Sequence, residues 1–78
     1  MMNTICYKTK EDVVYNKGTK YETKCNEFLY KYTYKDKEKA NAEIDALNEM
    51  LKAGVEKYDG LEMNNIKEFF LNEQEEMY

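Results

Sequence analysis

The side chains of this chain that could carry chemistry are carboxylates, tyrosines, threonines and two cysteines. Histidine, arginine and serine are absent, so the chain lacks the usual acid–base group, the bidentate anion clamp and the commonest hydroxyl nucleophile. A pair of carboxylates could still act as acid and base, but it would need a deep apolar cleft. Because 78 residues offer little volume for such a cleft, we expect a binding protein and not an enzyme.

The two cysteines are the next candidates, as metal ligands or as a disulfide. Cys6 and Cys25 are far apart in the chain, and no histidine is present to complete a ligand set. Zinc is normally held by four ligands arranged as close pairs. We therefore expect no metal and no cofactor. The thiols are expected to be buried as small hydrophobes, although they could pair if they lay on adjacent strands and became oxidised.

Charge is unevenly distributed along the chain. Residues 1–39 carry nine lysines against six acids, a net charge of +3, whereas residues 40–78 carry three lysines against ten acids, a net charge of −7. An acidic surface of this kind can occupy a basic groove on another protein, and the alternative is an ordinary solvated surface. The candidate contact residues of this half are Glu49, Glu56, Asp59, Glu62, Glu68, Glu73, Glu75 and Glu76, with Asp45 beside them.

An alternation of aromatic residues predicts a strand over residues 26–34. Phe28, Tyr30, Tyr32 and Tyr34 occupy every second position, so we expect them to share one face. That face is either the core or a contact surface, and its three tyrosines are the candidate contact residues. Tyrosines interleaved with lysines would also suit single-stranded nucleic acid, but the lack of arginine and the acidic net charge make nucleic acid an improbable partner.

The elements that must position these side chains fall into two groups. Residues 4–34 predict a small antiparallel sheet of three to four strands, with a hairpin turn at 16–18. Two helices are then expected, at about 37–53 and 64–76. The first has Asp36 as its N-cap and an apolar stripe, and the second depends on the helical spacing of four apolar residues. These residues are Ala40, Ile44, Leu47 and Leu51 for the first helix, and Ile66, Phe69, Phe70 and Met77 for the second.

The expected fold is a single α+β domain over residues 1–78, with both helices packed on one face of the sheet. No apolar run approaches the roughly 20 residues needed to cross a bilayer. The first residues also lack the apolar core of a secretory signal. We therefore expect a cytoplasmic protein with no membrane partner.

These features predict a small non-enzymatic inhibitor of the phage or mobile-element type. The composition is rich in Lys, Asn, Tyr, Glu and Ile, which is typical of AT-rich genomes, and tiny acidic α+β proteins from such sources often block a larger host protein. The expected partner is a host protein that handles nucleic acid, such as a nuclease or a defence complex of the kind that anti-CRISPR proteins block. The alternatives are a single-stranded nucleic-acid-binding module that uses the lysines and tyrosines of the sheet, and a structural or assembly homo-oligomer such as a homodimer.

Overall fold

The computed structural model describes residues 2–34 and 36–74. In chain order the elements are β1 (Met2–Tyr15), β2 (Thr23–Tyr34), α1 (Lys37–Lys52), β3 (Lys57–Tyr58), β4 (Leu61–Glu62), a 3-10 turn (Met63–Asn65) and β5 (Ile66–Gln74). The main sheet is antiparallel, with the strand order β2-β1-β5, and β3 pairs with β4 in a separate small hairpin. The first strand is therefore central, and the last strand lies beside it.

The predicted architecture of a sheet followed by two helices is wrong. Residues 4–34 supply two long strands, and residues 64–76 contain part of the 3-10 turn and β5 where a second helix was predicted. That prediction used four apolar positions, of which Ile66, Phe69 and Phe70 are of types that also favour strands, and Met77 lies outside the described residues. Phe69 is buried beneath α1, whereas Phe70 lies on the other face below the Lys8 ammonium, which is the alternation of a strand. The described residues thus form a variant of the α+β class with one α-helix and a second, smaller sheet.

Helix α1 covers one face of the main sheet through its predicted apolar stripe. The helix begins after Asp36, whose Oδ1 accepts a hydrogen bond of 3.0 Å from the Lys39 backbone N–H. Its buried residues pack on residues of the central and last strands. This core consists of Ile5, Ala40, Ile44, Leu47, Met63, Ile66 and Phe69.

A bulge in β2 changes which of its side chains share a face. The register against β1 steps from the pair Ile5–Lys31 to the pair Cys6–Leu29, so Tyr30 is an extra residue in β2. Two residues of the bulged strand then oppose one residue of its partner, and the alternation of faces shifts by one position.

The predicted single row of aromatic residues is therefore wrong at Tyr32. Tyr30 lies on the helix side, where its ring meets Phe69 edge to face at a centroid distance of 5.7 Å. Lys31 lies on the same side and forms an ion pair of 3.1 Å with Glu43 of α1. Tyr32 lies beyond the bulge on the opposite face of the sheet. The side chain of Tyr34 lies outside the described part of the structure.

The hairpin of β1 and β2 extends beyond the body of the domain. Because β5 pairs with β1 only from Met2 to Thr9, residues 10–26 form a two-stranded projection, which we call the hairpin arm. The radius of gyration of the 78-residue chain is 14.3 Å. A compact domain of this length would have a radius of gyration of about 11.5 Å. The chain is therefore more extended than a compact domain of its length.

A wide bulge lies at the base of the hairpin arm. Lys8 pairs with Glu27 and Val13 pairs with Cys25, so four residues of β1 are accommodated opposite one residue of β2. The predicted turn at 16–18 is present, with Asn16 at a φ of 54°, but the loop continues until β2 begins at residue 23. Cys6 and Cys25 lie on neighbouring strands but are not paired with each other, since Cys6 lies opposite Leu29 and Cys25 lies opposite Val13. Both are free thiols.

Candidate protein-binding surfaces

The acidic residues predicted as one contact row are dispersed over the molecule. Glu49 lies on the outer side of α1 and Glu56 follows the helix, whereas Asp59 and Glu62 belong to the β3–β4 hairpin region. Glu68 lies on the sheet face opposite α1, and Glu73 forms an ion pair with Lys37 at the start of α1. Glu75 and Glu76 lie outside the described residues.

The net charges of +3 for residues 1–39 and −7 for residues 40–78 would predict a basic sheet beside an acidic helical region, but the structure does not separate the charges in this way. The strand order places β1, from the basic half of the sequence, beside β5 from the acidic half. Lys8 of β1 consequently lies between Glu27 and Glu68, with N–O distances of 3.7 and 3.9 Å. Opposite charges from the two halves of the sequence are thus interleaved in the sheet.

One acidic surface does form, on the outward side of α1. Glu38, Asp45 and Glu49 are exposed and share one helical face, which we call the α1 acidic face. It extends about 16 Å along the helix axis. Exposed alanines at positions 42 and 46 lie beside these carboxylates. Lys52 is also exposed on this side, and its Nζ lies 3.4 Å from Glu49.

Glu38 was not predicted as a contact residue, because its negative charge was counted in the basic half of the chain, residues 1–39. The helical spacing of residues 38, 45 and 49 would have grouped it with the acids of the second half. A charge count over long segments hides such a stripe, since the first three residues of α1 lie before the boundary between the halves.

Tyr30 and Asp59 contact each other. The Tyr30 hydroxyl donates a hydrogen bond of 3.0 Å to Asp59 Oδ2, which links β2 to the small β3–β4 hairpin. Burial, followed by this hydrogen bond and the negative charge of Asp59, raises the pKa of Tyr30 to about 12. Asp59 and Gly60 both have positive φ, 50° and 78°, which is the geometry of a type I′ turn. This pair therefore holds two elements of the body together.

The sheet face opposite α1, which we call the open face, contains Tyr32. Its side chains form three cross-strand rows: Glu27, Lys8 and Glu68; Leu29, Cys6 and Phe70; Tyr32, Thr4 and Asn72. Leu29 is 47% exposed and Tyr32 is 50% exposed. Thr4 is buried, and its Oγ1 has no hydrogen-bond partner within the described part of the chain. Burial raises the pKa of the Cys6 thiol, which disfavours the reactive thiolate.

The hairpin arm is a third surface, which the sequence analysis did not separate from the sheet. Its exposed apolar residues are Val13 (40%), Val14 (38%), Tyr15 (47%) and Tyr21 (68%). Lys17, Lys20 and Lys24 accompany them on the loop and the return strand. The Lys20 ammonium lies 5.2 Å from the centre of the Tyr21 ring, within the range of a cation–π contact.

Besides these surfaces, the described residues border open cavities. A representative cavity of about 400 Å³ is bounded by Tyr30, Lys31, Glu43, Tyr58 and Asp59, and its charged groups include the Lys31–Glu43 ion pair. Residues 2–34 and 36–74 contain no cluster of three or more potential metal ligands. Over the same residues, no helix is long and apolar enough to cross a membrane.

Comparison with family models, curated proteins and solved structures finds no match.

Proposed function

We propose that this chain is a small non-enzymatic inhibitor of the phage or mobile-element type, which occupies a basic site on a host protein. The observation that supports this proposal is the α1 acidic face, where Glu38, Asp45 and Glu49 are exposed on one side of a helix. A helix presents its charges at fixed spacing, so they can match cations that line a groove.

The small side chains on this face favour close approach. The exposed alanines at 42 and 46 add little bulk between the carboxylates, so a groove could contact the helix along its length. The net charge of the chain, −4, adds long-range attraction toward a basic surface. Such attraction mainly raises the association rate, and it weakens as salt is added.

The proposed partner is a host protein that handles nucleic acid, such as a nuclease or a defence complex. Grooves that bind nucleic acid carry clustered lysine and arginine, which is the complement of an acidic helix. The proposal includes a cytoplasmic location in the host cell, which is compatible with the free thiols of Cys6 and Cys25.

The experiment is capture from host lysate treated with nuclease, using immobilised wild type and the double variant Asp45→Lys, Glu49→Lys. We expect wild type to retain a basic nucleic-acid-binding protein in a salt-sensitive manner, and the α1 variant to lose it. The matched control is Glu11→Lys, Asp12→Lys, which makes the same charge change at exposed carboxylates away from α1 that form no ion pair within the described residues. The control should retain the partner.

Folding of all three proteins is checked by circular dichroism and thermal unfolding. Surface ion pairs contribute only about 0–1 kcal/mol each, so both variants should remain folded. If wild type retains no such protein, or if the α1 variant retains it as well as wild type does, the proposed function is wrong.

A further inference from the structure

The hairpin arm exposes apolar side chains that its own chain does not cover. Val13, Val14 and Tyr15 are consecutive, so their side chains point to both faces of a two-stranded ribbon. An isolated two-stranded hairpin is marginally stable at best in water, because it has no third layer to pack on. Exposed apolar groups of this kind on a projection indicate a contact surface.

The charges toward the tip of the arm indicate the kind of surface that it fits: residues 13–26 carry three lysines and one acid, whereas Glu11 and Asp12 lie at the base of the arm. Among the described residues, Lys17, Lys20 and Lys24 form no ion pair. The nearby Glu22 carboxylate instead accepts a hydrogen bond of 3.0 Å from the Gly18 backbone N–H. Three lysines without an ion pair, next to valine and tyrosine side chains, complement a surface that combines carboxylates with small apolar groups.

The chain itself carries such a surface, the α1 acidic face with its exposed alanines. We propose that the hairpin arm of one copy docks on the α1 acidic face of a second copy, and that the second copy returns the same contact. Reciprocal contacts of this kind close a two-fold dimer, so they do not propagate into a filament. The proposal shares Asp45 and Glu49 with the proposed function but does not depend on it.

The edges of the sheet are poorer routes to self-association. Asn48 of α1 blocks the free edge of β5 at Phe69, because its Oδ1 accepts from the Phe69 N–H at 2.9 Å and its Nδ2 donates to the Phe69 carbonyl at 3.2 Å. The bulge at Tyr30 and Lys31 interrupts the regular edge of β2. Both devices are ones that proteins use to prevent edge-to-edge pairing.

The expected dimer is weak. A ribbon about 10 Å wide and about 25 Å long covers roughly 250 Å² on each side of one contact. Two reciprocal contacts then bury on the order of 1,000 Å² in total, which is the lower limit for a specific interface. Dimerisation should therefore depend on protein concentration, and it should weaken as salt is added.

The test is sedimentation equilibrium of the whole chain over a range of concentrations, with two charge-reversal variants. The arm variant is Lys17→Glu, Lys20→Glu, and the helix variant is Asp45→Lys, Glu49→Lys. In each homodimer both contacts would bring like charges together, so we expect at least a tenfold rise in the dissociation constant. The control Lys57→Glu reverses an exposed lysine outside both the arm and α1 and should dimerise as wild type does.

Mixing the two variants provides the decisive measurement. In a mixed dimer, one contact joins the reversed arm to the reversed helix and the other joins two wild-type surfaces, so opposite charges meet at both. An equimolar mixture should therefore recover dimerisation to within about threefold of wild type. Recovery would not occur if the substitutions acted only on general solubility or folding.

Three outcomes would overturn the proposal: a wild-type protein that stays monomeric at every concentration, an arm variant that dimerises unchanged, or a mixture that does not recover. A monomer whose arm lysines instead bind a single-stranded oligonucleotide in a salt-dependent gel shift would assign the arm to nucleic acid. The arm variant keeps the α1 acidic face, so it should still capture the host partner. The two proposals can therefore fail separately.

Discussion

The body of the domain and the hairpin arm share the same two strands but differ in what holds them. In the body, Ile5 of β1 is fully buried against Leu47 and Met63. In the arm, the continuation of the same strand leaves Val13 and Val14 exposed. Backbone pairing continues through both regions, whereas burial of side chains ends at the wide bulge between Lys8 and Val13. The length of a strand therefore does not indicate how stable it is, because burial of apolar side chains supplies most of the stabilisation.

Removal of buried volume should show the largest contrast between body and arm. Leu47→Ala should lower the free energy of unfolding by about 2–5 kcal/mol, since it removes a buried side chain and leaves a cavity. A domain of this size rarely has more than ~3–5 kcal/mol of net stability, so this variant should be largely unfolded at 25 °C. Val14→Ala in the arm should cost about 0.5 kcal/mol or less. Circular dichroism at 25 °C measures the folded fraction of Leu47→Ala, and urea unfolding followed by circular dichroism measures the smaller change for Val14→Ala.

The matched substitutions also test whether the arm is independent of the core. If Val14→Ala destabilised the chain as much as Leu47→Ala does, the arm would have to pack on the body, and the contrast drawn from the exposure of its side chains would be incorrect.

The edge of β5 should give an intermediate effect. Asn48→Ala removes both hydrogen bonds to the Phe69 backbone and should lower the free energy of unfolding by about 1–3 kcal/mol. It should also accelerate amide hydrogen exchange at Phe69. The control is Asn41→Ala on the exposed side of the same helix, for which we expect a change within about 0.5 kcal/mol. Unchanged exchange at Phe69 would show that another group protects this edge.

The smallest expected effect is a dependence of the free energy of unfolding on pH, which arises from Tyr30 in the body of the domain. The pKa of Tyr30 is raised from 10.0 to about 12 in the folded chain, so the folded state holds this proton after the unfolded state has lost it. The stability contributed by Tyr30 is therefore complete below pH 10 and is lost as the pH rises toward 12. Urea unfolding should show a shallower decline over this range for Tyr30→Phe than for wild type.

Tyr21→Phe in the arm is the control for this measurement, since Tyr21 is 68% exposed. It should follow the wild-type pH dependence. If Tyr30→Phe and wild type lost stability in parallel between pH 10 and 12, the hydrogen bond to Asp59 would contribute nothing to the pH dependence.

The sequence predicts α1 well because several local signals agree there. An N-cap at Asp36, an apolar stripe with helical spacing, and a glycine after the helix all indicate the same boundaries, and Gly54 has the positive φ of 77° that such a position uses. In β5, by contrast, the local sequence signals do not agree on a strand. In β5, apolar residues occur on both faces because Phe69 enters the core while Phe70 lies on the open face, so simple alternation is lost.

Two features of the candidate surfaces depend on backbone geometry that residue spacing does not reveal. The bulge at Tyr30 moves Tyr32 to the open face, and no Gly or Pro marks its position. The projection of the arm depends on where β5 stops pairing with β1, which is a property of two distant segments. A local signal was overlooked in one case, because Asp59-Gly60 is a common sequence for a type I′ hairpin turn.

The strand order has a consequence for folding during synthesis. The central strand β1 is made before its neighbour β5, with all the other described elements between them, so the sheet cannot be completed until residues 66–74 have left the ribosome. Until then the β1–β2 hairpin has a free edge on β1, and pairing across so long a separation carries a large loop-closure entropy. The nascent chain should therefore remain sensitive to proteases and chaperones until β5 emerges.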